Sequence, residues 1–202
     1  PNIEVLEKSM PVAPIRIAAL GCRELAEEVD RKLVKFRKEL VERKQLSAIP
    51  QGYSEESFIV ECECPRFGTG EGKGYIKESV RGTDLYIMVD VTNYSESYTV
   101  CGHENHMSPD NHFQDLKRII SAATGKAHRI NVIMPFLYEG RQHRRTKRES
   151  LDCALALKEL SDMGVSNIIT FDAHDPRVQN SIPLNGFDNF FPTYQFLKAL
   201  IK

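Results

Sequence analysis

Two short apolar segments with a helical pattern between them constrain the fold of this chain most strongly. Residues 130–134 and 168–171 are rich in β-branched side chains and are bounded by polar residues, which is typical of buried strands. Between them, five apolar residues follow a mostly helical spacing: Leu151, Ala154, Leu155, Ala156 and Leu160. This helix is expected to end at Met163-Gly164, because glycine readily adopts the left-handed conformation after a helix. The sequence therefore predicts a strand–helix–strand unit.

The polar residues that follow these two strands indicate where a ligand binds. Strand–helix–strand connections are nearly always right-handed and make the two strands parallel, so both carboxyl ends lie at one edge of the sheet. Arg141–Arg145, which includes Gln142 and His143, follows the first strand, whereas Asp172 and His174 follow the second. Open α/β sheets bind ligands outside these strand ends. We therefore expect an anionic, metal-bound ligand at this edge.

Composition excludes several classes of protein. The chain has 202 residues, of which 41% are hydrophobic, enough for one α/β domain with a substantial core. Its net charge of -1 creates no overall field that would favour nucleic acid or an anionic membrane. No apolar run approaches the roughly 20 residues needed to span a bilayer, and the N-terminus does not resemble a signal peptide. The five scattered cysteines favour reduced thiols, so a cytoplasmic protein is expected.

The remaining pattern divides the chain into an N-terminal arm, residues 1–14, and one α/β domain, residues 15–202. Residues 15–20 form a predicted strand. A long amphipathic helix is expected next, ending near Gln45, because apolar residues recur at helical spacing: Leu25, Val29, Leu33, Phe36 and Leu40. Further elements are predicted at 57–63 (strand), 113–120 (helix ending at Gly125) and about 193–201 (helix). Cys62 and Cys64 would share one face of the 57–63 strand, as buried thiols rather than metal ligands.

A glycine-rich stretch, residues 67–74, leaves two interpretations open. Glycine at alternate positions allows the backbone to approach a phosphate closely. The stretch does not match the P-loop pattern, however, because position 67 is Phe and position 74 is Gly. It is equally compatible with a hairpin whose strands continue into 75–78 and 85–91.

Residues 92–112 contain four zinc-type ligands among polar residues, and are interpreted as a long surface loop. The ligands are Cys101, His103, His106 and His112. Thiolate and imidazole bind zinc well, but this spacing matches no closed structural site. We therefore favour a loop without zinc.

Four short motifs match those of a known family in their order and approximate spacing. They are Glu78-Ser-Val-Arg-Gly82, Arg141-Gln142, Asp172-Ala-His174 and Asp188-Asn189. Together they resemble ribose-phosphate pyrophosphokinase from about residue 15 to residue 200, specifically its N-terminal domain. The resemblance implies a phosphoribosyltransferase-like α/β domain, with an open, mostly parallel sheet and helices on both faces. Members of the family pass the diphosphoryl group of ATP to ribose 5-phosphate, in nucleotide biosynthesis, and release AMP.

The resemblance also implies roles for particular residues. Phe67, Thr69 and Glu71 lie where the family's adenine-binding loop reaches ATP from a neighbouring subunit. Arg141, Gln142 and His143 correspond to the ATP-binding segment, and His174 with Asp172 to the magnesium–nucleotide site. The implied cofactor is Mg²⁺, the implied substrates are ATP and ribose 5-phosphate, and the implied assembly is a homodimer that builds hexamers. These roles agree with phosphoryl-transfer chemistry, which depends on positioning and charge stabilisation.

Several departures from the family pattern bear on activity. Thr69 replaces an acidic residue, His143 stands where Asp is usual, and Asp175 follows His174 in place of Ala. Two insertions are expected, around 43–56 and 97–110. The family's ribose-phosphate loop and its catalytic flexible loop do not occur in these residues, so no catalytic residue is assigned and this chain alone is expected to be inactive.

Two other functions remain open. A regulatory homologue would bind nucleotide and assemble with synthetases without catalysis. A nucleic-acid-binding module would use the basic loop, although that loop lacks the interleaved aromatic residues needed to stack bases.

Overall fold

A computed structural model describes residues 13–44 and 52–201. The predicted arm, apart from Ala13 and Pro14, and the predicted helix end near Gln45 lie outside these residues. The elements, in chain order, are β1 (Ile15–Leu20), α1 (Arg23–Lys44), β2 (Cys62–Glu63), β3 (Tyr75–Ile76), β4 (Asp84–Val89), β5 (Ser97–Val100), β6 (His103–His106), α2 (Pro109–Ala123), β7 (Arg129–Ile133), α3 (Asp152–Asp162), β8 (Val165–Phe171), a 3₁₀ helix (Pro176–Ser181), β9 (Gly186–Phe190) and α4 (Thr193–Leu200).

Five parallel strands form the central sheet, in the order β1-β4-β7-β8-β9. Two antiparallel hairpins, β2–β3 and β5–β6, lie outside it. The predicted parallel pairing of β7 with β8 is confirmed, with Ile133 opposite Ile169. All five strand carboxyl ends consequently lie at one edge of the sheet.

Helices cover both faces of the sheet, as predicted. Successive strand residues point to opposite faces, so Ile17 and Met88 pack with Ala26 of α1 on one face. Ala18 and Ile87 belong to the larger cluster on the other face, which includes buried residues of α2 and α3. In the described part of the chain, no helix is long and apolar enough to cross a membrane.

Several sequence predictions about elements were wrong in part. The strand expected at 57–63 is reduced to Cys62–Glu63, although its earlier residues run beside β1, where the Ile17 N–H donates to the Phe58 carbonyl at 2.8 Å. Residues 92–112 do not form a plain loop, because they contain the β5–β6 hairpin and the start of α2. On α3 the buried face is Cys153, Ala156, Leu157 and Leu160, whereas Leu155 is 56% exposed.

Candidate functional site

The structure brings together the two turns that the sequence placed at one edge. The imidazole rings of His143, from the loop after β7, and His174, from the turn after β8, have centroids 5.1 Å apart. In addition, His143 Nε2 lies 3.7 Å from Asp175 Oδ2. The Arg141–His143 segment and the Asp172–His174 turn are therefore neighbours, as parallel β7 and β8 require.

Gln142 closes the basic loop through its own hydrogen bonds. Its Nε2 donates to the carbonyl of Ser150 at 2.7 Å and to that of Arg144 at 3.2 Å. His143 Nδ1 lies 3.1 Å from the Arg141 carbonyl oxygen. Arg141 itself is exposed and, among the described residues, has no carboxylate within salt-bridge distance. The loop thus holds the Arg141 guanidinium at the surface, two residues before His143, where an anion can reach it.

The turn after β8 has a constrained backbone. Asp172 adopts a left-handed conformation, with φ of 47°, which is uncommon for a residue other than glycine. The side chain of Asn189 on β9 accepts a hydrogen bond from the Ala173 N–H at 3.0 Å, and the Asp172 N–H donates to the Phe190 carbonyl at 2.9 Å. These bonds from β9 hold the turn and leave the side chains of Asp172 and His174 exposed.

Asp175 is the N-cap of the 3₁₀ helix and is already paired. Its carboxylate accepts from the Arg177 N–H at 2.9 Å and from the Arg177 guanidinium at 2.6 Å. These hydrogen bonds lower the pKa of Asp175 well below its usual range. Asp175 is therefore a permanent anion beside His143, although its oxygens are engaged by Arg177.

The glycine-rich stretch connects β2 to β3 and so lies in a hairpin, but the second strand expected at 85–91 is β4 of the central parallel sheet. The Phe67 N–H donates to the Glu71 carbonyl at 2.7 Å, and Thr69 Oγ1 donates to Glu71 Oε2 at 2.8 Å. Phe67 is 54% exposed. Between described residues, no hydrogen bond or ion pair joins Phe67, Thr69 or Glu71 to the His143–His174 pair. Their role toward a neighbouring subunit stays a prediction.

A buried ionic network packs against the glycine-rich stretch, residues 67–74. The sequence analysis did not predict this network. The Arg66 guanidinium makes two 2.8 Å hydrogen bonds to the Asp115 carboxylate of α2, and Arg118 binds the same carboxylate. Tyr98 of β5 lies under Arg66, with 5.0 Å between the guanidinium carbon and the ring centroid. A Cβ on Gly74 would lie 2.5 Å from the Arg118 carbonyl oxygen, so the loop passes too close to α2 for a larger residue.

Three of the four possible zinc ligands in residues 101–112 are engaged in other contacts. Cys101 occupies the turn of the β5–β6 hairpin, and the His106 ring stacks on Tyr94. His112 is buried, and its Nε2 lies 2.8 Å from the Asn93 carbonyl oxygen. Across residues 13–44 and 52–201, no group of three or more His, Cys, Asp or Glu side chains is arranged to hold a metal ion.

A cavity of about 670 Å³ lies at the same edge of the sheet, between the ends of β1 and β4. Residues 58–60 lie beside one edge of β1, and β4 pairs with the opposite edge of β1. The strand order in the sheet therefore changes direction at β1. Such reversals are where open α/β sheets form ligand crevices. Gly21 and Asp90 each directly follow a strand and line this cavity. They could have indicated the cavity from the sequence, but the sequence analysis did not single them out.

An open parallel sheet with helices on both faces and polar loops at its carboxyl edge defines an α/β domain of the class that commonly binds ligands at that edge. Residues 17–164 match the family model described as the N-terminal domain of ribose phosphate pyrophosphokinase. This match covers well over half of the chain, so the chain belongs to that family.

Individual relatives agree with this assignment. The chain is 35% identical over 137 residues to a putative ribose-phosphate pyrophosphokinase 2 of Streptococcus pneumoniae, a match that covers 66% of this chain and 38% of the relative. It is 30% identical over 128 residues to the ribose-phosphate pyrophosphokinase of Corynebacterium ammoniagenes, covering 61% and 36%. The chain thus spans less than two fifths of the length of these relatives.

A solved structure confirms the fold. The crystal structure of phosphoribosylpyrophosphate synthetase from Mycobacterium smegmatis superposes with a TM-score of 0.65 at 18% sequence identity. The superposition covers 93% of this chain and 51% of that one. At this identity the likeness supports the α/β architecture alone.

Proposed function

We propose that this chain is the ATP-binding N-terminal domain of a ribose-phosphate diphosphokinase. In the complete reaction, the anomeric hydroxyl of ribose 5-phosphate attacks the β-phosphorus of ATP. The bond between the α,β-bridging oxygen and the β-phosphorus breaks, and phosphoribosyl pyrophosphate and AMP result. The observation that carries this proposal is the 5.1 Å approach of the His143 and His174 rings, which unites the two family motifs at one sheet edge.

Each proposed binding residue has a physical task. The exposed Arg141 guanidinium would bind phosphate oxygens, since its planar donors match them and it stays charged at all relevant pH values. His174 and Asp172 would hold the magnesium–nucleotide, and Mg²⁺ would neutralise phosphate charge. Their exposure suits an ion that keeps several waters and takes only one or two protein ligands. Phe67 and Glu71 would contact the adenine of a neighbouring subunit's nucleotide.

The ribose-phosphate site and the catalytic loop are proposed to belong to a second domain, so we assign no catalytic residue here. The proposal therefore includes three further statements. These 202 residues do not turn over by themselves, the working form is a homo-oligomer, and the reaction takes place in the cytoplasm. The likeness to longer relatives supports the first statement.

The test is calorimetric titration of magnesium–ATP into the wild-type chain and into Arg141→Ala. We expect the substitution to weaken binding more than tenfold and to leave the circular dichroism spectrum unchanged, because Arg141 is exposed. Arg43→Ala, an exposed arginine on α1, is the matched control and should bind as the wild type does. Unchanged affinity in Arg141→Ala would remove the proposed site.

A regulatory homologue is the second candidate, because Thr69 and His143 replace acidic residues of the family pattern. An assay for AMP release by the full-length gene product separates the two. Release that depends on ribose 5-phosphate identifies an enzyme, whereas nucleotide binding without release identifies a regulator.

A further inference from the structure

His143 differs from the family residue at its position and is prepared as a metal ligand. Its side chain is only 14% exposed, and its Nδ1 lies 3.1 Å from the Arg141 carbonyl oxygen. A carbonyl can only accept, so this contact is a hydrogen bond when Nδ1 carries a proton, which is the tautomer whose Nε2 can bind a metal ion. Metal-binding histidines commonly use this arrangement, in which the second ring nitrogen donates to a backbone carbonyl.

The spacing of the two rings fits a shared ion. Zinc-class ions bind imidazole nitrogen at about 2.0–2.1 Å, which places each ring centroid about 3.2 Å from the metal. At a tetrahedral angle, two such rings have centroids about 5 Å apart. The His143 and His174 centroids are 5.1 Å apart, and their planes are inclined by 55°. A magnesium site, in contrast, is expected to use oxygen ligands.

We propose that His143 and His174 together chelate a divalent transition metal ion of the zinc class, with solvent or nucleotide oxygens at its remaining positions. This inference deepens the proposed function, since the ion would replace magnesium at the same nucleotide site. Two imidazoles favour such an ion, because nitrogen donors suit zinc and cobalt whereas magnesium prefers oxygen. Asp175, whose Oδ2 lies 3.7 Å from His143 Nε2, adds negative charge nearby while Arg177 holds it in place.

The surrounding residues are compatible with an open coordination shell. No group of three or more protein ligands is present in the described segments, so at least two positions of the ion are left for other donors. Metal sites that act on substrates keep such positions open, whereas structural zinc sites are closed by four protein ligands. The exposure of His174 leaves room for a phosphate group to approach.

The experiment titrates Co²⁺ into the full chain without nucleotide and records the visible d–d absorption. We expect saturable binding that Zn²⁺ displaces and that a large excess of Mg²⁺ does not. His143→Asp, which restores the family residue, and His143→Gln should each weaken Co²⁺ binding at least tenfold, as should His174→Ala. His103→Ala and His106→Ala, in the β5–β6 hairpin, are the matched controls and should leave it unchanged.

Two outcomes would overturn the proposal. One is undiminished Co²⁺ binding in both His143 variants, with circular dichroism showing that they are folded. The other is loss of binding in His103→Ala or His106→Ala, which would locate the ion on the hairpin. ATP binding to the wild type, measured in parallel with Mg²⁺ and with Co²⁺, distinguishes the two proposals. If Co²⁺ binds and ATP binds with neither ion, the proposed function fails and the chelate stands. If ATP binds with Mg²⁺ and Co²⁺ alone does not bind, only the chelate is refuted.

Discussion

Replacing Asp115 by alanine should destabilise the protein more than almost any other single polar substitution in it. Asp115 and Arg66 have side chains that are each only 7% exposed, and two 2.8 Å hydrogen bonds join them. Arg118 binds the same carboxylate. The substitution therefore leaves the Arg66 charge buried without its counterion, and removes one partner of Arg118.

The expected loss follows from the cost of an uncompensated buried charge. Breaking a buried ion pair by removing one member typically costs about 3–5 kcal/mol. In a protein of this size, each kcal/mol lowers the melting temperature by about 2–4 °C, so the decrease should be about 6–20 °C. The same substitution should also increase proteolysis within residues 67–74, because this network lies directly beneath that loop.

Urea unfolding and thermal unfolding of Asp115→Ala are the measurements. Glu63→Ala provides the matched control, because the Glu63–Lys77 pair lies on the same hairpin at 3.2 Å but its side chains are 49% and 46% exposed. Such a surface pair contributes about 1 kcal/mol or less. If Asp115→Ala loses no more stability than Glu63→Ala, the buried network does not stabilise the fold.

Two further perturbations test the packing of the same region. Gly74→Ala should cost about 1–3 kcal/mol in urea unfolding, because the new Cβ would meet the Arg118 carbonyl oxygen at 2.5 Å, whereas Gly68→Ala, with nothing within 4 Å, should change stability by less than about 0.5 kcal/mol. Burial raises the pKa of the Cys64 thiol to about 12 from its ordinary 9.0. As the pH rises, the Cys64 thiol therefore ionises at a lower pH in the unfolded state than in the folded state. The contribution of Cys64 to the free energy of unfolding is complete below pH 9.0 and is lost as the pH rises toward 12. Urea unfolding at about pH 8 and about pH 10 should show a smaller loss in Cys64→Ala than in the wild type; equal losses would exclude this thiol as a cause.

The adjacency of the two site turns was predictable because it depends on local pattern and one rule of chirality. The apolar runs that became β7 and β8 were visible in the sequence, and a helix between them implied parallel strands. Parallel strands place the residues after each strand at one edge, which is where His143 and His174 meet. The ring spacing itself was not predictable, because it depends on how Gln142 closes the basic loop and how Asn189 holds the turn.

The buried faces of the helices show the limit of periodicity. The helical spacing correctly predicted α1 as a long helix, but Leu25 and Phe36 of the proposed apolar stripe are exposed. Asp30 is buried instead, since its carboxylate accepts from the Phe58 N–H at 2.7 Å and from the Ser57 hydroxyl at 2.9 Å. A polar residue is buried where the fold supplies a hydrogen-bond partner, and that partner lies 28 positions further along the chain.

The sequence by itself determined the long helix α1, the parallel pairing of β7 with β8 and the edge at which the site lies. These features depend on hydrophobic periodicity and on connection chirality, both of which act over neighbouring residues. Only the tertiary structure decided which polar groups are buried and paired, as with Arg66 and Asp115, which are 49 positions apart. A buried charge is stable only when the fold places an oppositely charged partner beside it. Local sequence patterns do not predict such pairs, because the two partners are far apart in the chain.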